Sequence, residues 1–271
     1  MKDQDFEVIR KLLLERSAIV LDTSKMYLVE TRLTPLVDAL KLNSIEELVA
    51  QLRDERANGL YRQIVEAMVT TETSFFRDHH PFEALRKEVI PDLIRRRRDE
   101  RALCVWCAAS SSGQEPYSIA LLLKEHFPEL NGWKISVLAS DLSREVLARA
   151  REGRFTQMEV NRGLPASLLV KYFEQHGTQW QLKPVITSMV DFREINLAET
   201  WPILPRMDLV LIRNVMIYFE VDTKKAILSK LSRQLRPDGY LLLGAAETTF
   251  YLDESYRHVE SLKSGFYQLV G

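Results

Sequence analysis

The residues best placed to do chemistry begin at Val105. The run Val-Trp-Cys-Ala-Ala-Ser-Ser-Ser-Gly-Gln-Glu-Pro-Tyr-Ser-Ile-Ala, residues 105–120, reads as a strand, a turn of small residues and a helix. Small residues let the backbone approach a ligand, and the first turn of a helix offers N–H groups without internal partners. Gly113 is the only glycine and the pattern G-x-G-x-x-G is absent, which disfavours a pyrophosphate cradle. A smaller polar group, such as a methionine-type amino acid, fits better. Asp141 closes the next apolar run, Leu-Ala-Ser-Asp-Leu-Ser, where a carboxylate can accept both hydroxyls of a ribose or cap the following helix. Glu115 can meet a cationic or amine-bearing ligand, or simply answer the helix dipole. Arg77 can hold a carboxylate with its fork; a salt bridge with Asp78 or a neighbouring helix would equally explain it. Cys104 and Cys107 lack the second pair that a structural zinc needs, and they lie on a strand rather than at a helix start, so they read as core.

The elements that must position these residues follow from spacing. Leu103–Cys107, Lys134–Ser140 and Met207–Ile212 read as strands. Glu115–Phe127, Ser143–Glu152 and Val221–Leu235 read as helices, with Pro116 in a first turn and Ser143 as a cap. Strand alternating with helix implies a parallel sheet with right-handed crossovers. Arg236–Gly239 reads as a turn, Tyr240–Leu243 as a strand, and Gly265–Val270 as one more. Residues 161–197 interrupt the alternation: Pro165–Gln175 as a short helix, then strands at Trp180–Leu182 and Val185–Phe192 around Pro184. Ahead of residue 70 only helices appear. One covers Ser24–Leu42, with Pro35 as a kink or break. Another opens on a Ser44/Glu47 capping box. A further helix begins near Pro81, capped by Asp78 or a neighbour. Arg95–Arg98 reads as the solvated end of a helix.

Composition narrows the function classes. The 271 residues are 46% hydrophobic, enough for a large core. Net charge is −1, whereas proteins held mainly by phosphate contacts show a basic excess, so no nucleic-acid partner is expected. No apolar run is long enough to span a bilayer, and the polar start Met-Lys-Asp-Gln-Asp is unlike a signal peptide, so the expected location is cytoplasmic, without membrane insertion.

Three motifs in order carry a resemblance: Thr71-Glu-Thr-Ser-Phe-Phe-Arg-Asp78, Ser112-Gly-Gln-Glu-Pro-Tyr-Ser118 and Arg213-Asn-Val-Met-Ile-Tyr-Phe219. With their spacing, the chain resembles the chemotaxis receptor glutamate methyltransferases, the CheR family, over almost its whole length. The resemblance implies an α/β fold: a Rossmann-like class I methyltransferase domain, a small helical N-terminal domain and an inserted antiparallel β-subdomain. The expected division is 1–70 helical and receptor-facing, 71–100 linker and connecting helix, and 101–271 cofactor-binding, with the insertion at about 161–195. The implied cofactor is S-adenosyl-L-methionine, with S-adenosyl-L-homocysteine as product. By motif, Thr71, Thr73 and Arg77 match the cofactor-contacting linker. Glu115 and Asp141 match contacts to the methionine and ribose parts. Asn196, Leu197, Arg213 and Asn214 match segments lining the adenosine and methionine pocket. Tyr218 matches the tyrosine near the transferred methyl; with Arg77 it is the expected catalytic pair. Arg32 is implied to be part of a basic face that binds the receptor. The implied partner is the cytoplasmic signalling domain of chemoreceptors, with a receptor C-terminal peptide as a second ligand of the β-subdomain and a monomeric enzyme. The turn carries Ala109 and Ser110 where the family more often has an additional glycine, Gln114 stands where glutamate is usual, and Pro35 where arginine is frequent.

The implied chemistry is simple. A glutamate carboxylate is ionised near neutral pH and can attack a sulfonium methyl without a general base, and no histidine lies in the three motifs. Amide and exocyclic-amine enzymes commonly carry an Asn/Asp-Pro-Pro-Tyr-like loop, which Arg213-Asn-Val-Met216 is not. The contrasting class is a non-catalytic module that senses the cofactor or docks on receptors, which an assay of labelled methyl transfer separates from an enzyme.

Overall fold

The computed structural model describes residues 1–52 and 59–270. Its chain divides into two compact units, residues 1–70 with 218–223, and residues 71–217 with 224–271.

The first unit is helical: α1 (Asp3–Ser17), α2 (Met26–Ala39), α3 (Ile45–Leu52) and α4 (Leu60–Met68). Phe6, Ile9 and Leu13 of α1 bury one stripe, and Val29, Leu33, Val37, Leu48, Ile64 and Val65 of the other helices are buried as well. A 3-10 turn, Thr23–Lys25, precedes α2, so the helix starts after Ser24 and ends before Leu42. It runs through Pro35 without a break. The Ser44 hydroxyl accepts from Glu47 N at 3.2 Å, but the Glu47 carboxylate accepts from Asn43 N at 2.8 Å, so the expected box closes one residue early. The short segment 218–223 completes this unit: Ile19 pairs with Phe219 in an antiparallel bridge, and Val20 N donates to Tyr218 O at 2.9 Å.

The second unit opens with α5 (His80–Ala84), a π-helical turn at Leu85–Val89 and α6 (Ile90–Arg96). Its strands are β1 (Ala102–Ala108), β2 (Lys134–Asp141), β3 (Arg154–Thr156), β4 (Phe173–His176), β5 (Gln179–Leu182), β6 (Val190–Glu194), β7 (Met207–Ile212), β8 (Leu235–Leu243), β9 (Tyr256–His258) and β10 (Phe266–Leu269). Between them lie α7 (Gln114–His126), α8 (Arg144–Glu152), α9 (Gln157–Asn161), α10 (Ala166–Tyr172), α11 (Pro184–Thr187) and α12 (Val221–Gln234). The large sheet has the order β6-β2-β1-β7-β8-β10-β9. The first five strands are parallel, and β10 pairs antiparallel with both β8 and β9. Buried on both faces, the parallel strands have continuous apolar runs, as in Leu209–Ile212. This is the expected α/β arrangement, a mostly parallel sheet with a small antiparallel sheet, β3-β5-β4.

Several local expectations are corrected. The small sheet opens at Arg154, and Val185–Phe192 is not one strand: Pro184 starts the helical turn α11, and Val190–Glu194 joins the large sheet beside β2. Arg236–Gly239 lies inside β8, as an excursion between the pairs Met207↔Leu235 and Leu209↔Tyr240. The cause sits opposite it. Asp208 is buried and accepts from Arg97 Nε at 2.5 Å and Cys104 N at 2.8 Å, while Arg97 also holds Asp238 at 2.5 and 2.8 Å. Arg97 is therefore a buried ion-pair hub rather than part of a solvated helix end. Asp78 does not cap the helix near Pro81; His79 stands there without a side-chain cap, and Asp78 turns to Arg213. Both cysteines are free, with Cys107 buried. Among the described residues no helix is long and apolar enough to cross a membrane.

Phe75 joins the linker to the insertion. It is fully buried, edge-on to Phe155 and Phe173 with centroids at 4.9 and 5.9 Å. Gly163, at φ +88°, lies against it: a Cβ there would fall 2.0 Å from Phe75 O. Gly163→Ala is expected to cost about 2–4 kcal/mol, since a backbone atom must move and the conformation disfavours a side chain. A thermal melt checks this; an unchanged midpoint would contradict the contact.

Candidate active site

The chain runs outward from β1 to β2 and β6, then returns to β7 on the other side of β1. That reversal places a crevice at the carboxyl ends of β1 and β7, where open α/β sheets bind ligands. The turn after β1 lines it. Ala109, Ser111 and Gly113 all have positive φ, at 55°, 49° and 94°. Two non-glycine residues held in the left-handed region mark strain that the surroundings must maintain, a feature common at binding sites. Neighbouring strand ends supply the restraint. Ser110 N donates to Ser140 O at 2.8 Å, Ser111 N to Asp141 Oδ2 at 2.9 Å, and Ser111 Oγ to Thr71 O at 2.7 Å.

Asp141 ends β2 and is buried. Its other oxygen accepts from Ser143 N at 3.0 Å, while the cap of α8 is Ser143, whose hydroxyl accepts from Val146 N. The carboxylate therefore ties the β1 turn to the β2 turn instead of serving as the helix cap. Beside it, Ile195 N donates to Asp141 O at 3.1 Å, which leads the chain from β6 to Asn196 and Leu197. The Asn196 side chain accepts from Ala198 N and donates to Glu199. Leu197 is buried, and its carbonyl accepts from Trp201 Nε1 at 3.2 Å and Lys230 Nζ at 2.5 Å. Lys230 lies 4.6 Å from the centre of the Trp201 ring, and burial draws its pKa down.

Arg213, at the end of β7, is the centre of the arrangement. Nη1 donates to Glu115 Oε2 at 2.8 Å. Nη2 donates to Asp78 Oδ2 at 2.6 Å and to Arg77 O at 3.2 Å. One buried guanidinium thus gathers all three sequence motifs. Burial pushes the Glu115 carboxyl up from the ordinary glutamate range, against the pull of Arg213. Arg77 itself is half-buried, and its guanidinium donates to Glu72 O at 3.2 Å. Among the described residues Asp78 pairs with Arg213, so an Arg213–Asp78 bridge stands in place of the simple Arg77–Asp78 one. Thr73 is half-buried and Thr71 exposed on the same linker. Phe76 N donates to Ser118 Oγ at 2.9 Å, which fixes the linker on α7.

Among the described residues, three buried side-chain atoms at the ends of β1 and β7 lack a hydrogen-bond partner: Ser110 Oγ, Arg213 Nε and Asn214 Oδ1. Buried polar atoms are ordinarily satisfied. A hydroxyl, a cationic donor and an amide acceptor at adjacent strand ends suit a ligand that carries both donor and acceptor groups.

Two expected site residues belong to the other unit. Tyr218 ends the 3-10 turn Met216–Tyr218 and is half-buried. Arg32, on α2, donates to Met68 O and, at 3.0 Å, to Thr70 Oγ1. Residues that sequence reasoning missed include Ser111, Asp78 as the partner of Arg213, and Glu247. A serine run offers no signal of which member turns left-handed.

Residues 71–264 match the family described as CheR methyltransferase, SAM binding domain, and residues 4–69 match CheR methyltransferase, all-alpha domain. Chemotaxis protein methyltransferase 1 of Pseudomonas aeruginosa is 40% identical over 261 residues, 94% of this chain and 94% of that protein. Chemotaxis protein methyltransferase Cher2 of Pseudomonas putida is 39% identical over 269 residues, 97% of each. Chemotaxis protein methyltransferase 1 of Vibrio cholerae is 35% identical over 272 residues, 99% of this chain and 98% of that protein.

Proposed function

Because the chain belongs to the CheR methyltransferases, with their S-adenosylmethionine-binding domain, we propose that it methylates glutamate side chains of chemoreceptors and forms their methyl esters. The observation that carries this reading is the convergence of the three motif segments on Arg213, beside the unpartnered Ser110, Arg213 and Asn214 atoms. When bound, S-adenosylmethionine supplies an electrophilic methyl on a sulfonium.

The chain's own groups do the rest. In this reading Asp141 takes the ribose hydroxyls, and Asn196 and Leu197 line the adenosine end. Glu115, Arg213 and Asn214 serve the methionine end, whose ammonium and carboxylate match their donors and acceptors. Thr71, Thr73 and Arg77 close the linker over the cofactor. Arg77 orients the acceptor carboxylate, and Tyr218 shapes the space around the methyl. The acceptor is already ionised at neutral pH, so no base has to deprotonate it. The gain in rate comes from alignment and from removing water around the carboxylate. Arg32 and its helix α2 belong to the receptor-facing surface. The edges of the small sheet, β3 and β4, suit a receptor peptide added as a strand.

Calorimetric titration with S-adenosylmethionine and S-adenosylhomocysteine, followed by labelled methyl transfer to receptor cytoplasmic fragments, tests this. Saturable binding and a base-labile label are expected. A base-stable label would overturn glutamate as acceptor. Binding without transfer would turn the chain into a docking or sensing module, and no binding by folded protein would overturn the enzyme altogether.

A further inference from the structure

Glu247 lies outside every motif above. It follows β8 in Gly244-Ala-Ala-Glu247 and is half-buried. Its carboxylate accepts five backbone N–H groups. Oε2 takes Gly244 N and Asn214 N, both at 2.8 Å, and Oε1 takes Met216 N at 2.7 Å, Val215 N at 2.9 Å and Ile217 N at 3.4 Å. Four of these are consecutive amides of the loop that leaves β7.

Two backbone features make this possible. Asn214 has φ +58°, which turns successive N–H groups toward one point, as in an anion-binding nest. Gly244 leaves room, since a Cβ there would lie 2.6 Å from Glu247 Oε2 and 2.8 Å from Asn214 N. The arrangement has the form of an anion site, and the chain fills it with its own carboxylate. Among the described residues no cation forms an ion pair with Glu247. Its negative charge is met by amide dipoles alone.

The loop so gripped begins with Arg213, the junction of the three motifs, and Asn214, whose buried Oδ1 has no partner. We propose that Glu247 is a positioning residue for methyl transfer. It locks the 213–217 loop to the end of β8, so that Arg213 and Asn214 are held in place before cofactor and acceptor arrive. This rests on the methyl-transfer reading above. Every partner of the Glu247 carboxylate is a donor, which demands an acceptor at both oxygens. Glutamine would set an NH₂ group against the loop amides, and alanine would leave those amides to water.

The test uses the full chain with Glu247→Gln, Glu247→Ala and Glu247→Asp. Hydrogen exchange at Asn214, Val215 and Met216 reads the grip directly, without turnover. In Glu247→Gln these amides are expected to exchange at least about 10-fold faster. Labelled transfer to a receptor fragment should show kcat down by about 30-fold or more, with receptor KM changed by less than about threefold because the receptor surface is untouched. Sodium formate, compared with sodium chloride at equal ionic strength, should restore at least about fivefold of the activity of Glu247→Ala by refilling the nest. Glu247→Asp should retain more activity than Glu247→Gln, and if the alanine variant does not fold, these two carry the test. Unchanged exchange in folded Glu247→Gln would overturn the grip. Faster exchange with wild-type kcat would overturn the positioning role, and formate acting no better than chloride would reduce Glu247 to a structural residue. A wild-type protein that transfers no methyl at all would sink the methyl-transfer reading instead, while the exchange result still decides whether Glu247 holds the loop.

Discussion

Replacing Arg213 with methionine is expected to lower stability at pH 8 by about 3–5 kcal/mol and methyl transfer by about a thousandfold. The side chain is buried, and its two carboxylate partners are unequal: Asp78 is partly exposed and can turn to water, whereas Glu115 is buried. Without the guanidinium, Glu115 becomes an uncompensated buried charge, which is costly at the pH where it must ionise. The pH dependence follows from the sign of the shift. Burial holds the folded-state pKa of Glu115 above its unfolded value. The folded state therefore binds more protons in the window between the two values, and stability falls as pH rises through it. Loss of Arg213 raises the folded value further. The deficit should be small below the ordinary glutamate pKa of about 4.3 and grow until pH passes the raised value. Denaturant melts at acid and alkaline pH check this, and the double variant with Glu115→Gln should recover much of the stability but little of the activity. A deficit that does not change with pH would refute the role assigned to Glu115.

The second large effect concerns Asp141. Asp141→Ala is expected to weaken S-adenosylhomocysteine binding by about 100-fold, close to 2.7 kcal/mol. Two hydroxyl hydrogen bonds to an ionised acceptor account for that order of loss. The turn at Ser111 also loses the carboxylate that holds its N–H. Asp141→Asn should lose less. Both variants should stay folded, because Ser143 caps α8 independently. Calorimetry on the folded variants decides: affinity within about threefold of wild type would remove Asp141 from the pocket.

Much of this was legible because it is local. Leu209–Ile212 is a short apolar run that marks a buried strand, and Ser143 and Pro116 punctuate their helices in ways that depend only on near neighbours. The three motifs were legible through resemblance, but how they meet was not. Nothing near Arg97 in the sequence announces Asp208, 111 positions away, so an arginine in a basic run looked solvated. The excursion at Arg236–Gly239 was hidden in the same way, because it lies opposite the buried Asp208 on a different strand. Pro184 looked like a break between two strands, yet it begins a helical turn, because β6 takes its pairing from β2 only further on. Glu247 was invisible for a different reason. Its partners are main-chain amides, which carry no residue-type signal.

The long reach of these contacts bears on how the chain comes to be folded. Arg213 meets Glu115 across 98 positions and Asp78 across 135, and the helical unit is completed by residues 218–223, whose Phe219 pairs with Ile19. Contacts so distant in sequence close late, because the loop entropy must be met before they reward it. During synthesis the helices of the first seventy residues emerge early, but their partner segment leaves the ribosome only after β7 has been made. Until then Glu115 has no counterion and the helical unit lacks its last piece. Neither the site nor the helical unit can be complete before residues 213–223 have been made, so both can close only near the end of synthesis.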